Sequence, residues 1–199
     1  MKMNHSMRTL AIGLCIALST AAVVPMAFAR SDAMGSMSTH KDPMVGGAAM
    51  YPSKNIIQNA VNSKDHTTLV AAVKAAGLVD TLSGTGPFTV FAPTNEAFAA
   101  LPAGTVDNLL KPENRATLTK ILTYHVVAGK MTSHDLEKAV MAGGGKAVLK
   151  TVEGDSITVA KSGSTWTVTD DKGNAANITI ADVIQSNGVI FVIDKVLMP

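Results

Sequence analysis

One stretch, GPFTVFAPTNEAFAAL from Gly86 to Leu101, constrains the fold more than any other part of the chain. Its Phe88-to-Phe91 segment is made of aromatic and β-branched residues, which favour a buried strand. Pro93 ends that strand because proline has no N–H to donate to a neighbouring strand. Thr94 then occupies the position of a helix N-cap, where its hydroxyl can accept a hydrogen bond from the first turn. The segment predicts a strand followed directly by a helix, and it contains few reactive groups.

The first 29 residues have the pattern of a secretory signal peptide. Lys2 and Arg8 supply the positive charge, and the mostly apolar run from Leu10 to Val24 follows. Ala27-Phe28-Ala29 is an A-x-A cleavage signal, so cleavage is predicted before Arg30. The pattern predicts a secreted or periplasmic protein with no membrane span after cleavage. An uncleaved anchor is the alternative, although the run is short for a bilayer.

Cleavage would change the charge and cysteine content of the chain. The only cysteine, Cys15, lies in the predicted signal peptide, so the mature protein would have no disulfide and would depend on its core for stability. Lys2 and Arg8 are the only charged residues before Arg30, which leaves a formal net charge of 0. A neutral balance argues against nucleic acid as a partner.

Residues 30–52 are predicted to form a flexible tether. They are rich in Met, Gly, Ser and Ala, contain Pro43 and Gly46-Gly47, and show no apolar periodicity. From Ser53 to Pro199 the pattern becomes globular, without an internal repeat, and predicts a single domain.

The first half of that domain is predicted to be mainly helical and the second half mainly strands. Thr132 and Asp135 fit a capping box at the start of a helix. Tyr124 to Val127 resembles a short buried strand. Asn187-Gly188 is a hairpin signal that predicts a type I′ turn. The following segment, Val189 to Ile193, is apolar at every position, so it is predicted to be covered on both faces.

Three segments together resemble the fasciclin-type (FAS1) domain family: GPFTVFAPTNEAF, YHVVAG and ADVIQSNGVIFVIDKVLMP, which begin at Gly86, Tyr124 and Ala181. Their order and spacing match the family, and the match covers about Ser53 to Pro199. The resemblance implies an α+β fold with a β-wedge of two sheets and a layer of helices. It also implies a non-enzymatic adhesion module that contacts cell-surface or matrix proteins or glycans, and a monomer is expected.

The resemblance points to two groups of partner-binding candidates. Tyr124 and His125 match a motif that is linked to receptor binding in animal members, and Asp182, Val183 and Ile184 match a second segment implicated in adhesion. Each group also has a structural interpretation. His125 can be a buried neutral imidazole bonded to backbone, with Tyr124 packed beside it. Asp182 can satisfy backbone N–H groups at a strand irregularity.

One position departs from the family pattern. Phe191 stands where members usually carry His, so a function assigned to that His does not transfer to this chain. Phenylalanine keeps the segment apolar, and Phe191 is predicted to be buried.

The alternative function rests on methionine and histidine residues in the predicted tether. Thioether and imidazole ligands suit Cu(I), and the cluster comprises Met34, Met37, His40, Met44 and Met50. A periplasmic copper-handling protein is therefore the second hypothesis, against a plain flexible linker. Because a tether provides no scaffold to fix ligand geometry, neither a metal site nor a cofactor is assigned.

Catalytic patterns are weak throughout the chain. It contains no G-x-S-x-G elbow and no H-E-x-x-H motif, and the predicted mature part has no cysteine nucleophile. No catalytic residue is assigned, and the protein is predicted not to be an enzyme. A hydrolase that assembles its site from distant positions stays open as a third hypothesis.

Overall fold

The structure, a computed structural model, describes residues 42–199. Within that range the helices are α1 (Ile56–Ala60), α2 (Thr67–Ala76), α3 (Val79–Ser83), α4 (Asn95–Ala99), α5 (Thr105–Leu109), α6 (Arg115–Tyr124) and α7 (Ser133–Ala142). The strands are β1 (Met44–Val45), β2 (Ala48–Ala49), β3 (Phe88–Pro93), β4 (Val126–Ala128), β5 (Lys146–Lys150), β6 (Ser156–Ser162), β7 (Thr165–Thr169), β8 (Ala175–Gln185) and β9 (Gly188–Ile193). The order agrees with the prediction of helices first and strands later.

Seven of these strands form one mixed sheet in the order β4-β3-β9-β8-β7-β6-β5. The β3–β9 pair is parallel, and the other pairs are antiparallel. The two ends of the sheet meet where Val127 bridges Thr151 and where Val152 N–H donates to the Val126 carbonyl at 2.7 Å. The sheet is therefore largely closed on itself.

Strand β8 joins the two halves of the folded sheet. Its first residues pair with β7 and its last residues pair with β9. Register shifts between Ile178 and Val183 interrupt the second pairing. Such irregularities bend a strand and increase its local twist, which lets one strand serve both halves.

Strands β3 and β9 separate two apolar cores. Val90, Ala92, Ile190 and Val192 face the helices and pack among residues of α1, α2, α4 and α6. The alternate residues face the interior of the folded sheet, where the second core comprises Phe91, Tyr124, Val127, Leu136, Leu149, Ile157, Val159, Val168, Ala176, Val189, Phe191, Ile193 and Leu197. This arrangement confirms that the 189–193 segment is covered on both faces.

Two predicted helix caps are present. The Thr94 hydroxyl accepts from Ala97 N–H at the start of α4, so the strand-to-helix prediction for this segment is confirmed. The capping box of Thr132 and Asp135 is formed at the start of α7. In both cases a side chain satisfies a main-chain N–H that the helix itself leaves without a partner.

The predicted hairpin exists, but its turn differs from the prediction. Gln185 pairs with Gly188, so the turn residues are Ser186 and Asn187, and neither Asn187 nor Gly188 has a positive φ. The Asn187 side chain instead donates to the Leu82 carbonyl at 2.8 Å and accepts from Ile56 N–H at 3.0 Å. Hydrogen bonds to the helical layer therefore decide the conformation of Asn187.

Ordered structure begins before the predicted boundary at Ser53. Strands β1 and β2 form a small hairpin within the part of the predicted tether that the structure describes. Val45 and Met50 of this segment are buried in the helix-side core, and Lys64 N–H donates to the Gly46 carbonyl. For residues 42–52 the tether is thus replaced by a packed hairpin, because two apolar side chains find room in the core. Residues 30–41 lie outside the described range.

Candidate functional site

Tyr124 and His125 lie at the C-terminal end of α6. Tyr124 is the last helical residue and His125 is the C-cap, so the strand predicted from Tyr124 is wrong and β4 begins only at Val126. The helix continues through the YH pair because Leu118, Ile121, Leu122 and Tyr124 all place their side chains in the core.

Tyr124 is fully buried, and its hydroxyl group acts both as a hydrogen-bond donor and as an acceptor. The hydroxyl donates to the Ser156 carbonyl at 3.1 Å and accepts from Asp171 N–H at 3.1 Å. Burial raises the pKa of Tyr124, although the nearby Asp171 N–H opposes the shift. The side chain therefore links α6 to β6 and to the turn after β7.

The His125 ring is a neutral structural group with both nitrogens bonded to backbone. Its side chain is 2% exposed. Its Nε2 accepts from Leu197 N–H at 3.0 Å, so Nδ1 carries the proton and donates to the Ile121 carbonyl at 2.8 Å. Burial lowers the pKa of His125 to about 4, and the Ile121 carbonyl and the Asp170 charge oppose that shift only in part. The prediction that His125 is buried is confirmed.

Asp170, which the sequence analysis placed in no site, completes this arrangement. Its carboxylate accepts from Lys172 N–H at 3.0 Å and from Asn174 N–H at 2.8 Å within its own turn. It also accepts from Met198 N–H at 3.1 Å. Burial alone would raise the pKa of Asp170, but the hydrogen bond donated by the Asn174 side chain, together with those from the three N–H groups, outweighs it and the pKa is lowered. An Asp that opens a Gly-containing turn is the only sequence signal for this role.

Together Tyr124, His125 and Asp170 form what we call the C-terminal clasp. His125 and Asp170 hold Leu197 and Met198, and Tyr124 holds the turn that contains Asp170 through Asp171 N–H. His125 binds the N–H of Leu197 and Asp170 binds the next N–H along the chain. The clasp side chains accept hydrogen bonds from main-chain N–H groups and donate to the Ser156 and Ile121 carbonyls, so their polar atoms are already satisfied inside the fold.

Asp182, Val183 and Ile184 lie at the irregular part of β8. Asp182 has φ 55° and is the only non-glycine residue with positive φ in residues 42–199. Its carboxylate accepts from Ser133 N–H at 2.6 Å and from the Ser133 hydroxyl. The acid thus caps the first turn of α7, where a negative charge is favourable. Val183 is fully buried, whereas Asp182 and Ile184 are half-buried.

The two groups of candidates do not form one surface. Tyr124 and His125 bind the turn after β7 and the C-terminal residues, whereas Asp182 binds α7. No hydrogen bond within residues 42–199 joins the first group to the second. Only Asp182 and Ile184 retain part of their surface for an external partner.

Phe191 occupies the centre of the sheet-side core. It is 1% exposed and its ring stacks on Phe91, with centroids 5.6 Å apart and planes 24° apart. The predicted burial is confirmed. The two rings come from strands paired in parallel register, at directly opposed positions.

His66 is a second buried histidine, which the sequence analysis did not single out. Its Nδ1 lies 2.9 Å from the Ser63 hydroxyl oxygen, while its Nε2 has no hydrogen-bond partner within residues 42–199. Burial lowers its pKa, and the Ala92 carbonyl and Asp65 oppose the shift. The ring borders an apolar cavity of about 30 Å³ beside Val45 and Met50.

The methionine cluster proposed for Cu(I) is only partly described. Met34, Met37 and His40 lie outside the described residues. Met44 is exposed, and Met50 is 2% exposed and packed in the core. Within residues 42–199 no three His, Cys, Asp or Glu side chains lie close enough together to hold a metal ion. In the same range, no helix has the length and hydropathy needed to cross a bilayer.

Comparison with known proteins gives consistent matches. The family model described as Fasciclin domain matches residues 64–199. Protein sll1483 of Synechocystis sp. is 48% identical over 169 residues, covering 84% of this chain and 86% of that protein. Cell surface glycolipoprotein MPB83 of Mycobacterium bovis is 33% identical over 159 residues, covering 80% of this chain and 61% of the relative.

Among solved structures, a FAS1 domain pair from the insect cell adhesion molecule fasciclin I matches with a TM-score of 0.66. The match has 22% sequence identity and covers 74% of this chain and 52% of that one. At this identity the similarity establishes the fold, which is the α+β FAS1 fold that the motifs implied.

Proposed function

This chain belongs to the fasciclin domain family, and we propose that it is an extracellular, non-enzymatic adhesion module that contacts proteins or glycans at the cell envelope or in the matrix between cells. The observation that carries the proposal is how the buried polar side chains are used. Tyr124, His125 and Asp170 are occupied by internal hydrogen bonds rather than converging on an open cleft. A nucleophile or general base needs a free, accessible position, which these groups lack.

Similar proteins support the same proposal. The structural neighbour comes from an insect cell adhesion molecule, and one relative is a cell surface glycolipoprotein. The signal-peptide pattern of residues 1–29 supports export. Mass spectrometry of the extracytoplasmic fraction should find an N-terminus at Arg30. Recovery of full-length protein only, embedded in the membrane, would contradict export.

The partner-binding part of the proposal falls on Asp182 and Ile184. Tyr124, His125 and Val183 are buried, so we assign them the task of holding the clasp and strand β8 in place. Ile184 is half-buried, and its exposed part is available to a partner.

The test disrupts the gene and restores it with variants, followed by cell-aggregation and biofilm assays. Disruption should reduce aggregation and the wild-type gene should restore it. Ile184→Thr keeps a β-branched residue in the strand, so it should melt close to wild type yet restore aggregation poorly. Val61→Thr, at an exposed position after α1, is the matched control and should restore it fully. Full aggregation by the disrupted strain would overturn the adhesive function. Full rescue by Ile184→Thr would show that Ile184 does not contact the partner.

A further inference from the structure

The outer face of strands β5, β6 and β7 carries mostly short side chains. Alternate residues of these strands point into the sheet-side core, and the others point outward. The outward set is Lys146, Val148, Lys150, Ser156, Thr158, Ala160, Ser162, Thr165, Thr167 and Thr169. Apart from the two lysines on the edge strand, nothing in this set projects far from the sheet.

The strand register arranges these residues in rows. Val148 pairs with Thr158, which pairs with Thr169, and the neighbouring row contains Lys146, Ala160 and Thr167. Adjacent strands lie about 4.8 Å apart, and alternate residues along one strand lie about 6.8 Å apart. The face is therefore a regular array of hydroxyl and methyl groups bordered by ammonium groups.

The hydroxyl groups of this face are available to a partner. The side chains of Ser156, Thr158 and Thr169 make no hydrogen bond to protein within the described range, whereas Thr167 makes a long one of 3.4 Å to the Ala160 carbonyl. These three residues are half-buried, so their oxygens are reached from one side only.

The charge on the face is positive. None of its outward residues is acidic, and neither Lys146 nor Lys150 forms an ion pair within residues 42–199. The carboxylates just before β6, Glu153 and Asp155, are both paired with Lys120, at 3.5 Å and 3.9 Å. An anionic partner thus meets two free ammonium groups at the sheet edge.

We propose that this face binds an acidic polysaccharide, an extended chain of sugars that carries carboxylate or sulfate groups. The lysines pair with the anionic groups, while the Ser and Thr hydroxyls exchange hydrogen bonds with sugar hydroxyls. The rows run across the strands, so an extended chain lying in that direction meets several of these groups at once. The inference names the partner of the proposed adhesive function and rests on it.

The same face is poorly suited to an acidic protein. Protein interfaces depend on a few buried anchors, most often Trp, Tyr or Arg, seated in pockets. The outward set contains none of these, and Val148, 69% exposed, is its only large apolar side chain. Hydroxyl rows offer a polypeptide no such anchor, but they match the dense hydroxyl groups of a glycan.

The experiment measures binding of the full secreted chain to alginate, which carries carboxylates, and to dextran sulfate, by affinity electrophoresis. Neutral dextran and poly-L-glutamate are the comparison polymers. Lys146→Glu/Lys150→Glu reverses the charge of the face, and Lys74→Glu/Lys111→Glu is the matched control with the same net change at exposed helical-layer positions. Thr158→Val/Thr169→Val removes two hydroxyls and keeps side-chain shape and strand preference.

Binding to at least one acidic polysaccharide should exceed binding to dextran and to poly-L-glutamate. Reversal of the two face lysines should weaken it about tenfold, and the helical-layer control should change it less than about twofold. The valine pair should weaken it about threefold without changing the salt dependence. The proposal would be overturned if poly-L-glutamate bound as tightly as the acidic polysaccharides, or if both charge-reversal variants lost the same amount of binding. Unchanged binding by Thr158→Val/Thr169→Val would show that the two hydroxyl groups do not contact the polysaccharide.

The aggregation assay separates this inference from the function on which it rests. If the wild-type chain restores aggregation fully but binds none of the acidic polysaccharides, the adhesive function stands and the polysaccharide face fails. If aggregation does not depend on the protein at all, the adhesive function fails first.

Discussion

Single polar residues in this domain hold together parts of the chain that are far apart in sequence. His125 is bonded to Leu197, Asp170 to Met198, and Asn187 to Leu82. Each of these side chains satisfies a buried main-chain group that would otherwise lose hydrogen-bonding energy on folding. At the residue scale, the polar interior is therefore a set of long-range links.

The neutral His125 makes stability depend on pH. Its folded pKa of about 4 lies below the usual histidine pKa of 6.5, so between these values the unfolded chain binds a proton that the folded chain does not. Stability from this group is fully present above about pH 6.5 and falls as the pH drops towards 4, by about 3 kcal/mol in total. Urea unfolding across this range should show the decline.

His125→Gln provides the comparison because glutamine keeps a donor and an acceptor but does not titrate. It should be less stable than wild type near neutral pH and show a shallower decline below pH 6.5. A remaining slope is expected from His66, whose pKa burial also lowers. His134→Gln, at an exposed position of α7, is the control and should keep the wild-type slope. Equal slopes in wild type and His125→Gln would show that His125 is not the group responsible.

Phe191→Ala should reduce the free energy of unfolding by about 3–5 kcal/mol, because it removes a ring stacked on Phe91 and leaves a cavity in the sheet-side core. Phe191→Leu fills more of that space and should cost less. Thermal and denaturant melts of both variants give the comparison. Similar stability of Phe191→Ala and wild type would mean that the surrounding core collapses onto the site.

Residue-scale predictions from sequence succeeded where the cause is local or purely hydrophobic. The Thr94 cap, the Thr132–Asp135 capping box and the burial of Phe191 follow from near neighbours in the chain. The clasp role of Asp170 did not, because a turn-forming Asp has the same sequence whether or not it also receives Met198 N–H. The unpaired nitrogen of His66 is likewise visible only in three dimensions.

Among the elements, the irregular part of β8 is tied to the start of α7. Asp182 adopts φ 55° and uses its carboxylate on Ser133, so backbone strain in the strand and capping of the helix occur at one residue. Asp and Asn tolerate the left-handed region better than other non-glycine residues. This explains how an acidic side chain comes to lie at the bend that joins the two halves of the sheet.

Asp182→Ala should destabilise the domain by about 2 kcal/mol, since it removes the cap and leaves a less tolerant residue at positive φ. Asp182→Gly also removes the cap but relieves the backbone, so its loss should be smaller. In a double-mutant cycle, Ser133→Ala should couple to Asp182→Ala. Equal losses for Ala and Gly would show that the backbone term is negligible, and strictly additive losses would exclude the side-chain contact with Ser133.

The boundaries of helices and strands are predicted less well from the sequence than their order. The sequence predicts a strand from Tyr124, but the Tyr124 side chain completes the buried apolar face of α6, and the helix therefore continues to that residue. The hairpin turn lies one residue earlier than predicted because the Asn187 side chain binds the helical layer. In both places tertiary contacts override a short local preference.

For the molecule as a whole, the hairpin of β1 and β2 is part of the folded unit. A chain that starts at Ser53 should be less stable than one that starts at Asp42, by at least about 3 kcal/mol, because it loses the buried side chains of Val45 and Met50. Melting temperatures of the two chains test this. Met44→Ser, at an exposed position of the hairpin, is the control for the longer chain and should change little. Equal stability of the two chains would show that residues 42–52 do not stabilise the domain and act only as a tether.

The overall architecture could be predicted from the sequence because three motifs occur in the order and spacing of one family, and their resemblance to that family implied the β-wedge. Strand and helix patterns alone indicated α+β but not the sheet order. A parallel pair between β3 and β9 joins residues about a hundred positions apart, and no periodicity in either strand encodes its partner.

That pairing sets the order in which the protein can be made. Strand β9 lies next to β3 and β8 near the centre of the sheet, yet of the strands described in residues 42–199 it is the last to be synthesised. Until it emerges, β3 has only the three-residue β4 beside it, and the Phe91 ring has no counterpart to stack on. Contacts between residues so distant in sequence form slowly. A domain whose central strand is synthesised last cannot complete its sheet or its core until that strand has been made, so its synthesis and the completion of its fold are separated in time.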